Sequence, residues 1–431
     1  MVDMIDYYKE LFEKNKENLE SGLQLEQIRQ QGLKDFVRMG FPGNKMEKWK
    51  NFSTKSIQKN RYELNSIEER TKLDFFSKLS GLESPNTIIF NNGHCSYDFQ
   101  IEESKNGVIF GSIKAVLAKY PEKVLKYFNK ANKQNLNGFN AMNSAFAQDG
   151  FFLYVPENIK IDFPVLVTQN YNIDSYQLIN NRNIIVLEDD ASCEIVQIES
   201  SEVGNKAFAN NITESFLGQN AQLTINKLQK YLGNTIVIES SFTKQKSGSN
   251  YSCNIATIGG NKLRNDIHVK LEGTNCFANI NGGFVLDENN EVDNNVYIDH
   301  ATPDCDSNQN FKGILDGKSK GAFTGYVLVR QDSQRTNAYQ SNNNIVLSEK
   351  ANISTNPFLE IYADDVKCSH GASIGRLDQN AMFYLRARGL SEEKSKELLL
   401  SAFAMEVFKD VTNTKFKEVV SKEIENKLLK D

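Results

Sequence analysis

Between about Phe151 and Gly375 helical periodicity disappears and a short pattern returns about every 30 residues. Asp189-Asp190-Ala191-Ser192-Cys193-Glu194-Ile195 is matched by Gln219-Asn220-Ala221-Gln222-Leu223-Thr224-Ile225 and again by Thr274-Asn275-Cys276-Phe277-Ala278-Asn279-Ile280. Looser copies are Lys320-Gly321-Ala322-Phe323 and Lys350-Ala351-Asn352-Ile353. Each is a polar turn, then a small residue, then alternating apolar positions. Ala191 to Ala221 is 30 residues, Ala221 to Cys276 is 55, close to two units, and Gly321 to Ala351 is 30 again. Short alternating segments with Asn, Gly, Asp and Ser clusters between them are strand signals. A fixed repeat without helices predicts a β-solenoid, because one coil cannot bury its apolar face alone and must stack on the next. A β-sandwich is the competing architecture, with the repeat accidental. A solenoid leaves strand edges at its ends that need covering or pairing. The asparagine runs Asn289-Asn290, Asn294-Asn295 and Asn342-Asn343-Asn344 fit side-chain ladders at stacked turns or a compositional bias.

Helical period flanks this region. Ile5, Tyr8, Leu11 and Phe12, then Leu25, Ile28, Leu33, Phe36 and Val37, recur at spacings of three and four, with Gly22 and Gly32 expected to interrupt. Gly40-Phe41-Pro42-Gly43 is a turn, and Trp49 reads as an aromatic anchor rather than a ligand site. A helix is expected over Ser112 to Lys130. After Asp378 helices return: Gly389 is a stop, Ser391 an N-cap with Glu392 and Glu393 behind it, and Phe416 to Leu429 an amphipathic last helix. The expected division is 1–146 helical and mixed, 147–376 solenoid, 377–431 helical.

The formal charge of −5 and pI of about 5.7 speak against a nucleic-acid binder. No apolar run is long enough to span a membrane, and the N-terminus lacks the pattern of a secretory signal. Six cysteines without paired spacing suit a reducing compartment, and Cys95, Cys193, Cys253, Cys276 and Cys305 read as small core fillers. There is no P-loop and no nucleophile elbow; Gly259-Gly260 and Gly282-Gly283 read as turn glycines. Four histidines cannot build a His-rich metal site.

The chemistry-bearing segment is Asn356 to Gly375. On a strand, Val366, Cys368 and His370 share one face and Lys367 and Ser369 the other. Thiolate and imidazole are ligands for iron, zinc and clusters, yet two donors make at most half a site. A buried thiol beside an ordinary imidazole is the plainer reading.

Leu359-Glu360-Ile361-Tyr362-Ala363-Asp364-Asp365-Val366-Lys367-Cys368-Ser369-His370-Gly371-Ala372, continued by Phe383-Tyr384-Leu385-Arg386-Ala387-Arg388-Gly389, resembles the signature of the SufB/SufD family of iron–sulfur cluster assembly proteins. Arg386-Ala387-Arg388-Gly389 and Ser401-Ala402-Phe403-Ala404 are similar to its SufD branch, with Ser373 standing where Thr is usual. The resemblance implies a mainly β protein, a right-handed parallel β-helix flanked by N- and C-terminal α-helical regions. It implies a scaffold, not an enzyme. Such a scaffold pairs with a SufB-like paralogue through the β-helix and holds a SufC-like ATPase through the C-terminal helices. A transient iron–sulfur cluster, present only in the complex, would form at the paired edge. His370 would be the leading cluster or iron ligand, and Cys368 would ligate or pack. Glu360, Asp364, Asp365, Gly371 and Gly375 are signature positions, and Leu398, Leu399, Ala402, Phe403, Met405 and Val407 would face the ATPase. The implied setting is cytoplasmic, without nucleic acid or membrane, and the chain alone could homodimerise. Two readings of other classes stand beside it. One is a carbohydrate-active β-helix enzyme using Asp287, Glu288, Asp293, Asp299, Asp304 and Asp306. The other is a purely structural solenoid.

Overall fold

A computed structural model describes residues 4–19, 23–64, 82, 84–95, 102–104, 106–131 and 137–429. The centre of the chain is a β-solenoid of about eight turns, in which successive strands alternate between two parallel sheets. One sheet runs from Val165–Tyr171 through Ser192–Ser201, Gln222–Lys230, Asn250–Ile258, Phe277–Leu286, Asp306–Leu315 and Thr336–Val346 to Val366–Gly375. The other runs from Arg182–Leu187 through Phe208–Leu217, Ile236–Gln245, Lys262–Leu271, Glu291–His300 and Lys320–Val329 to Asn352–Ile361.

Coil length is not constant. It is 30 residues from Ser192 to its partner Gln222, 27 from Asn250 to Phe277, and 31 from Asp306 to Asn337. The polar turn of the repeat has a backbone reason. Asp190, Asn220, Asn275, Asp304 and Arg335 each adopt φ between 55° and 59°, and Gly248 takes φ 71° at the same corner. The left-handed conformation turns the chain, and polar short side chains tolerate it best. The next residue, Ala191, Ala221, Ser249, Cys276 or Cys305, points inward and is buried, so it must be small. Gly321 and Ala351 do not belong to this series. Gly321 lies in the other sheet and pairs with Ile353, two residues past Ala351, which precedes its strand, because that coil is 32 residues long, from Lys320 to Asn352.

Asparagine ladders are present, but within the strands rather than at the turns, and of the expected runs they include Asn294. Asn281 Nδ2 donates to Asn254 at 2.9 Å and Asn254 Nδ2 to Asn226 at 2.8 Å, while Asn265 Nδ2 reaches Asn294 at 2.9 Å. They extend the strands well beyond the apolar runs. Gly282 and Gly283 are mid-strand, not turn glycines. A Cβ on Gly282 would sit 2.1 Å from the Phe311 ring inside the solenoid, and one on Gly283 2.9 Å from Phe408 outside it.

The two ends differ. At the N-terminal end the sheets are continued by Ile109–Ser112 and Phe151–Val155, antiparallel to each other, and by the hairpin Thr87–Asn91 with His94–Cys95. At the other end, Asn352–Ile361 and Val366–Gly375 are the last strands of their sheets, each with one edge unpaired among the described residues.

Helices Met4–Lys14, Lys16–Leu19, Leu23–Met39 and Gly138–Phe146 cover one sheet near its start, packing Phe139 and Met142 with Phe208, Ile236 and Ile238. Gly32 does not interrupt its helix. It lets two helices touch, since a Cβ there would lie 2.8 Å from the Ala145 nitrogen. Gly22 lies outside the described residues. The expected helix over 112–130 is two, Ile113–Lys119 and Pro121–Tyr127, because Pro121 cannot donate into a preceding turn. Trp49 is an anchor. It is buried, and the Arg264 guanidinium lies 3.9 Å from its ring centroid. Arg264 donates to Asp266 at 2.7 and 3.0 Å and also bonds Asp293, all three being buried. Arg264→Met is expected to strand two buried carboxylates and cost about 3–5 kcal/mol in denaturant unfolding. A cost below about 1 kcal/mol would show that this triad holds its two neighbouring solenoid strands only weakly.

Helices Glu392–Met405 and Thr414–Leu428 cover the outer face of the other sheet, with Leu400, Ala404, Phe408, Phe416, Val420 and Ile424 on Leu228, Ala256, Val285 and Ile314. Ser391 caps the first helix, accepting from Lys394 N at 3.1 Å, and Gly389, at φ 91°, ends the preceding helix Gln379–Ala387. Among the described residues no helix is long and apolar enough to cross a membrane.

Candidate functional site at the open end of the solenoid

Strand Val366–Gly375 pairs residue by residue with Thr336–Val346, so Cys368 lies over Ala338 and His370 over Gln340. Ala338, Gln340 and Asn342 are the buried, inward-facing residues of that strand. Alternation therefore points Val366, Cys368 and His370 toward the solenoid interior. Among the described residues no coil lies beyond them; His370 is exposed and Cys368 half-buried. Cys368, Leu359 and Val366 pack on Val327, Val329, Ala338 and Ala363. Burial pushes the Cys368 thiol up, with a hydrogen bond from the Ala338 backbone opposing. At neutral pH it is a thiol rather than a ready thiolate. Among the described residues no cluster of three or more His, Cys, Asp or Glu could hold a metal. The chain places two donors at its open end.

The signature residues have separate fates. Glu360 faces outward and accepts from the Tyr362 hydroxyl. Asp364 and Asp365 are exposed at the corner joining the last two strands, where the Asp365 amide donates to Gln334 at 2.9 Å and its carbonyl accepts from Arg335 N at 2.6 Å. A Cβ on Gly371 or Gly375 would meet nothing within 4 Å. Nothing inside the described chain requires their smallness.

Sequence reading missed the apolar surface beside the donors. Phe358, Ile361 and Ile374 are exposed on the last two strands, Tyr362 at the corner between them, and Phe383 and Tyr384 on the helix after them, Phe383 at 75%. Their signal was present as apolar residues in strands with no later strand to cover them. The stripe on the C-terminal helix divides. Val407 is buried against the solenoid and so is not on a free face. Phe403 and Met405 are partly buried, Leu399 is intermediate, and Leu398 and Ala402 are exposed. The acidic candidates do not converge. Asp293 is taken by Arg264, Asp299 by Arg330 at 2.7 Å, Asp304 by Arg335 at 2.5 Å and Asp287 by Lys427.

Residues 168–403 match the family profile described as "SUF system FeS cluster assembly, SufBD core domain", and residues 2–167 match "SufBD protein N-terminal region". The chain belongs to the SufBD family. The chain is 25% identical to the iron–sulfur cluster assembly protein SufD of Bacillus subtilis across 98% of this chain and 97% of that one. It is 35% identical to SufD of Escherichia coli across 40% of each. It is 26% identical to the chloroplastic protein ABCI7 of Arabidopsis thaliana across 92% of this chain and 85% of that one. The SufBD core match ends inside helix Glu392–Met405, so the open end and its two donors lie wholly within the core domain.

Deeper in this SufBD core is a polar layer that titrates. Lys227 lies between Glu199 at 3.1 Å and Glu239 at 3.3 Å, beside a cavity of about 20 Å³. Burial, then the Glu199 charge, raise the Glu239 carboxyl to about 7, with Lys227 pulling the other way. His300, buried, has its pKa lowered to about 4, chiefly by burial. The two groups act in opposite directions. Glu239 binds its proton more tightly folded than unfolded, so its contribution is present below about 4.5 and lost as pH rises through 7. The contribution of His300 is present above about 6.5 and lost as pH falls through 4. Glu239→Gln is therefore expected to gain on the order of 2 kcal/mol over wild type at pH 7.5 and to lose that gain near pH 4.5. Denaturant melts at the two pH values check it; a difference independent of pH would contradict the assignment.

Proposed function

We propose that this chain is a non-catalytic scaffold subunit in iron–sulfur cluster assembly, pairing through the open end of its solenoid with a SufB-like paralogue. The single observation that carries this reading is the last coil. It has two unpaired strand edges, exposed Phe358, Ile361, Tyr362 and Ile374, and Cys368 and His370 at the same end. An open sheet edge is a template for another chain. Gly371 and Gly375 leave room along the edge that only a partner can use. The partner completes the ligand set that this chain leaves at two donors, so the cluster is cargo held while the edges are joined and released when they part. His370 is the leading donor, and Cys368 a secondary one because its thiol is held protonated.

A SufC-like ATPase is proposed to dock on the free face of helix Glu392–Met405, with Leu398 and Ala402 at the centre and Leu399, Phe403 and Met405 at its border. Leu398→Glu with Ala402→Glu should then weaken ATPase capture at least about 10-fold while pairing with the paralogue persists. In this reading residues 1–146, 147–376 and 377–431 are the support, pairing and ATPase-binding parts. Cys193, Cys253, Cys276, Cys305 and Cys368 are free thiols, which suits a cytoplasmic setting.

Co-expression with the paralogue and the ATPase, followed by mass measurement of the purified complex, tests the proposal. A hetero-complex containing all three supports it. A chain that remains monomeric or only self-pairs in their presence overturns it.

A further inference from the structure

Directly beneath His370, in register on the two preceding rungs, lie Gln340 and Gln309. Both point into the solenoid and are buried, Gln340 at 4% exposure and Gln309 at 1%. Among the described residues neither amide nitrogen nor either amide oxygen has a hydrogen-bond partner. The facing sheet makes room for them, since a Cβ on Gly325 would lie 2.7 Å from the Gln309 oxygen. Thr355, also inward on that sheet, leaves its buried hydroxyl without a partner as well. Both amide atoms are unpaired at each of these two glutamines, whereas other inward amides are bonded. Gln229 and Asn265 exchange hydrogen bonds of 3.1 Å, and Gln197 donates to Glu199 at 2.5 Å.

Each unpaired buried polar atom costs about 1–3 kcal/mol. An apolar side chain of similar shape would avoid that at both positions. Two such residues in a column that ends under the one exposed inward imidazole therefore point to a use. Neighbouring rungs of a sheet are about 4.8 Å apart, the spacing at which stacked amides form a hydrogen-bonded ladder.

We infer that Gln340, backed by Gln309, is a positioning residue for His370, its amide oxygen accepting a ring N–H so that the other ring nitrogen presents its lone pair at the open end. The inference rests on the reading of His370 as a donor. Neither bond is made in the side-chain positions of the structure, and rotation of the two amides would align them along the column: imidazole N–H to the Gln340 oxygen, Gln340 amide N–H to the Gln309 oxygen. Fixing the tautomer through the far nitrogen is how a second-layer group prepares an imidazole for a metal.

The test uses the full chain with ¹⁵N-labelled histidine rings, His370→Gln identifying the His370 signals. Wild type is expected to show one dominant tautomer at His370. Gln340→Leu should move it toward the mixture of free imidazole, and Gln309→Leu should do so by a smaller amount. Gln340→Glu should keep the tautomer, because a carboxylate accepts the same proton. The signals of His94, His268 and His300 report whether the fold is unchanged. A His370 tautomer ratio equal in wild type and Gln340→Leu would overturn the inference. A second readout is iron retained by the complex with the paralogue, expected to fall about 10-fold in Gln340→Leu. If His370→Ala leaves that iron unchanged, the donor reading fails, and the tautomer measurement still decides the positioning role.

Discussion

Replacing Phe358 and Ile374 together with lysine is expected to abolish pairing with the paralogue while leaving the isolated chain folded. Phe358 is 39% and Ile374 53% exposed, so a large part of each side chain is open to a partner. Phe358 is the last ring of a stack that runs Tyr297, Tyr326, Phe358 along the outer face of one sheet, with centroids 5.0 and 6.1 Å apart. Ile374 sits near the end of the last strand of the other sheet. One substitution therefore acts on each free edge. Lysine on an edge strand is a known deterrent to strand addition, because pairing would desolvate the charge. Central apolar interface residues commonly contribute about 2 kcal/mol or more each, so the pair should weaken association roughly 1,000-fold. Unfolding of the isolated chain should change by less than about 1 kcal/mol, as for exposed substitutions generally. Light scattering and denaturant melts on the same preparations separate the two effects. Retained pairing with intact folding would move the interface away from the open end.

His370→Ala is expected to leave the complex assembled but to remove on the order of 90% or more of its iron and sulfide after anaerobic purification. His370 is exposed and packs no core, so its removal creates no cavity. It is one of only two donors this chain brings to the edge, and metal retention falls steeply with ligand number. Cys368→Ala should have the smaller effect on iron, because burial keeps that thiol protonated in the isolated chain. It should show a modest stability loss instead, since Cys368 packs on Ala338 and Val327. An iron loss in Cys368→Ala larger than in His370→Ala would invert the proposed roles of the two donors.

Much of the solenoid was legible because the left-handed corner restricts which residues stand there. Asp190, Asn220 and Asn275 write the turn into the sequence, and the small residue after each writes the inward step. Ser249 and Cys305 belong to the same series but were hidden, since coils of 27 to 31 residues drift out of any fixed period. Strands such as Gln222–Lys230 and Asn250–Ile258 run through asparagines that read locally as loop composition, because asparagine ladders pair as well as apolar side chains do. Gly282 and Gly283 were misread because a glycine that makes way for Phe311 and Phe408 looks locally like one that turns the chain. Only tertiary contact distinguishes the two.

The candidate site was legible in its donors and not in its surroundings. Alternation alone put Cys368 and His370 on one face. That this face is the solenoid interior, and that Gln340 lies beneath His370, follows from register, which no local pattern contains. Helix Glu392–Met405 is apolar on more than one side, so its sequence could not say that Val407 turns toward the solenoid while Leu398 stays free. The Trp49–Arg264 contact joins residues more than 200 positions apart and has no local trace.

The central claim is that the last coil is where a second chain adds its strands. Amide hydrogen exchange of this chain, alone and in complex with the paralogue, tests it most directly. Edge amides of Asn352–Ile361 and Val366–Gly375 have no partner strand on their free side and should exchange fast in isolation. In the complex they should become protected by at least about 100-fold, while the inner strands from Ser192 to Leu315 change little. Unchanged exchange in both terminal strands of a formed complex would contradict the account.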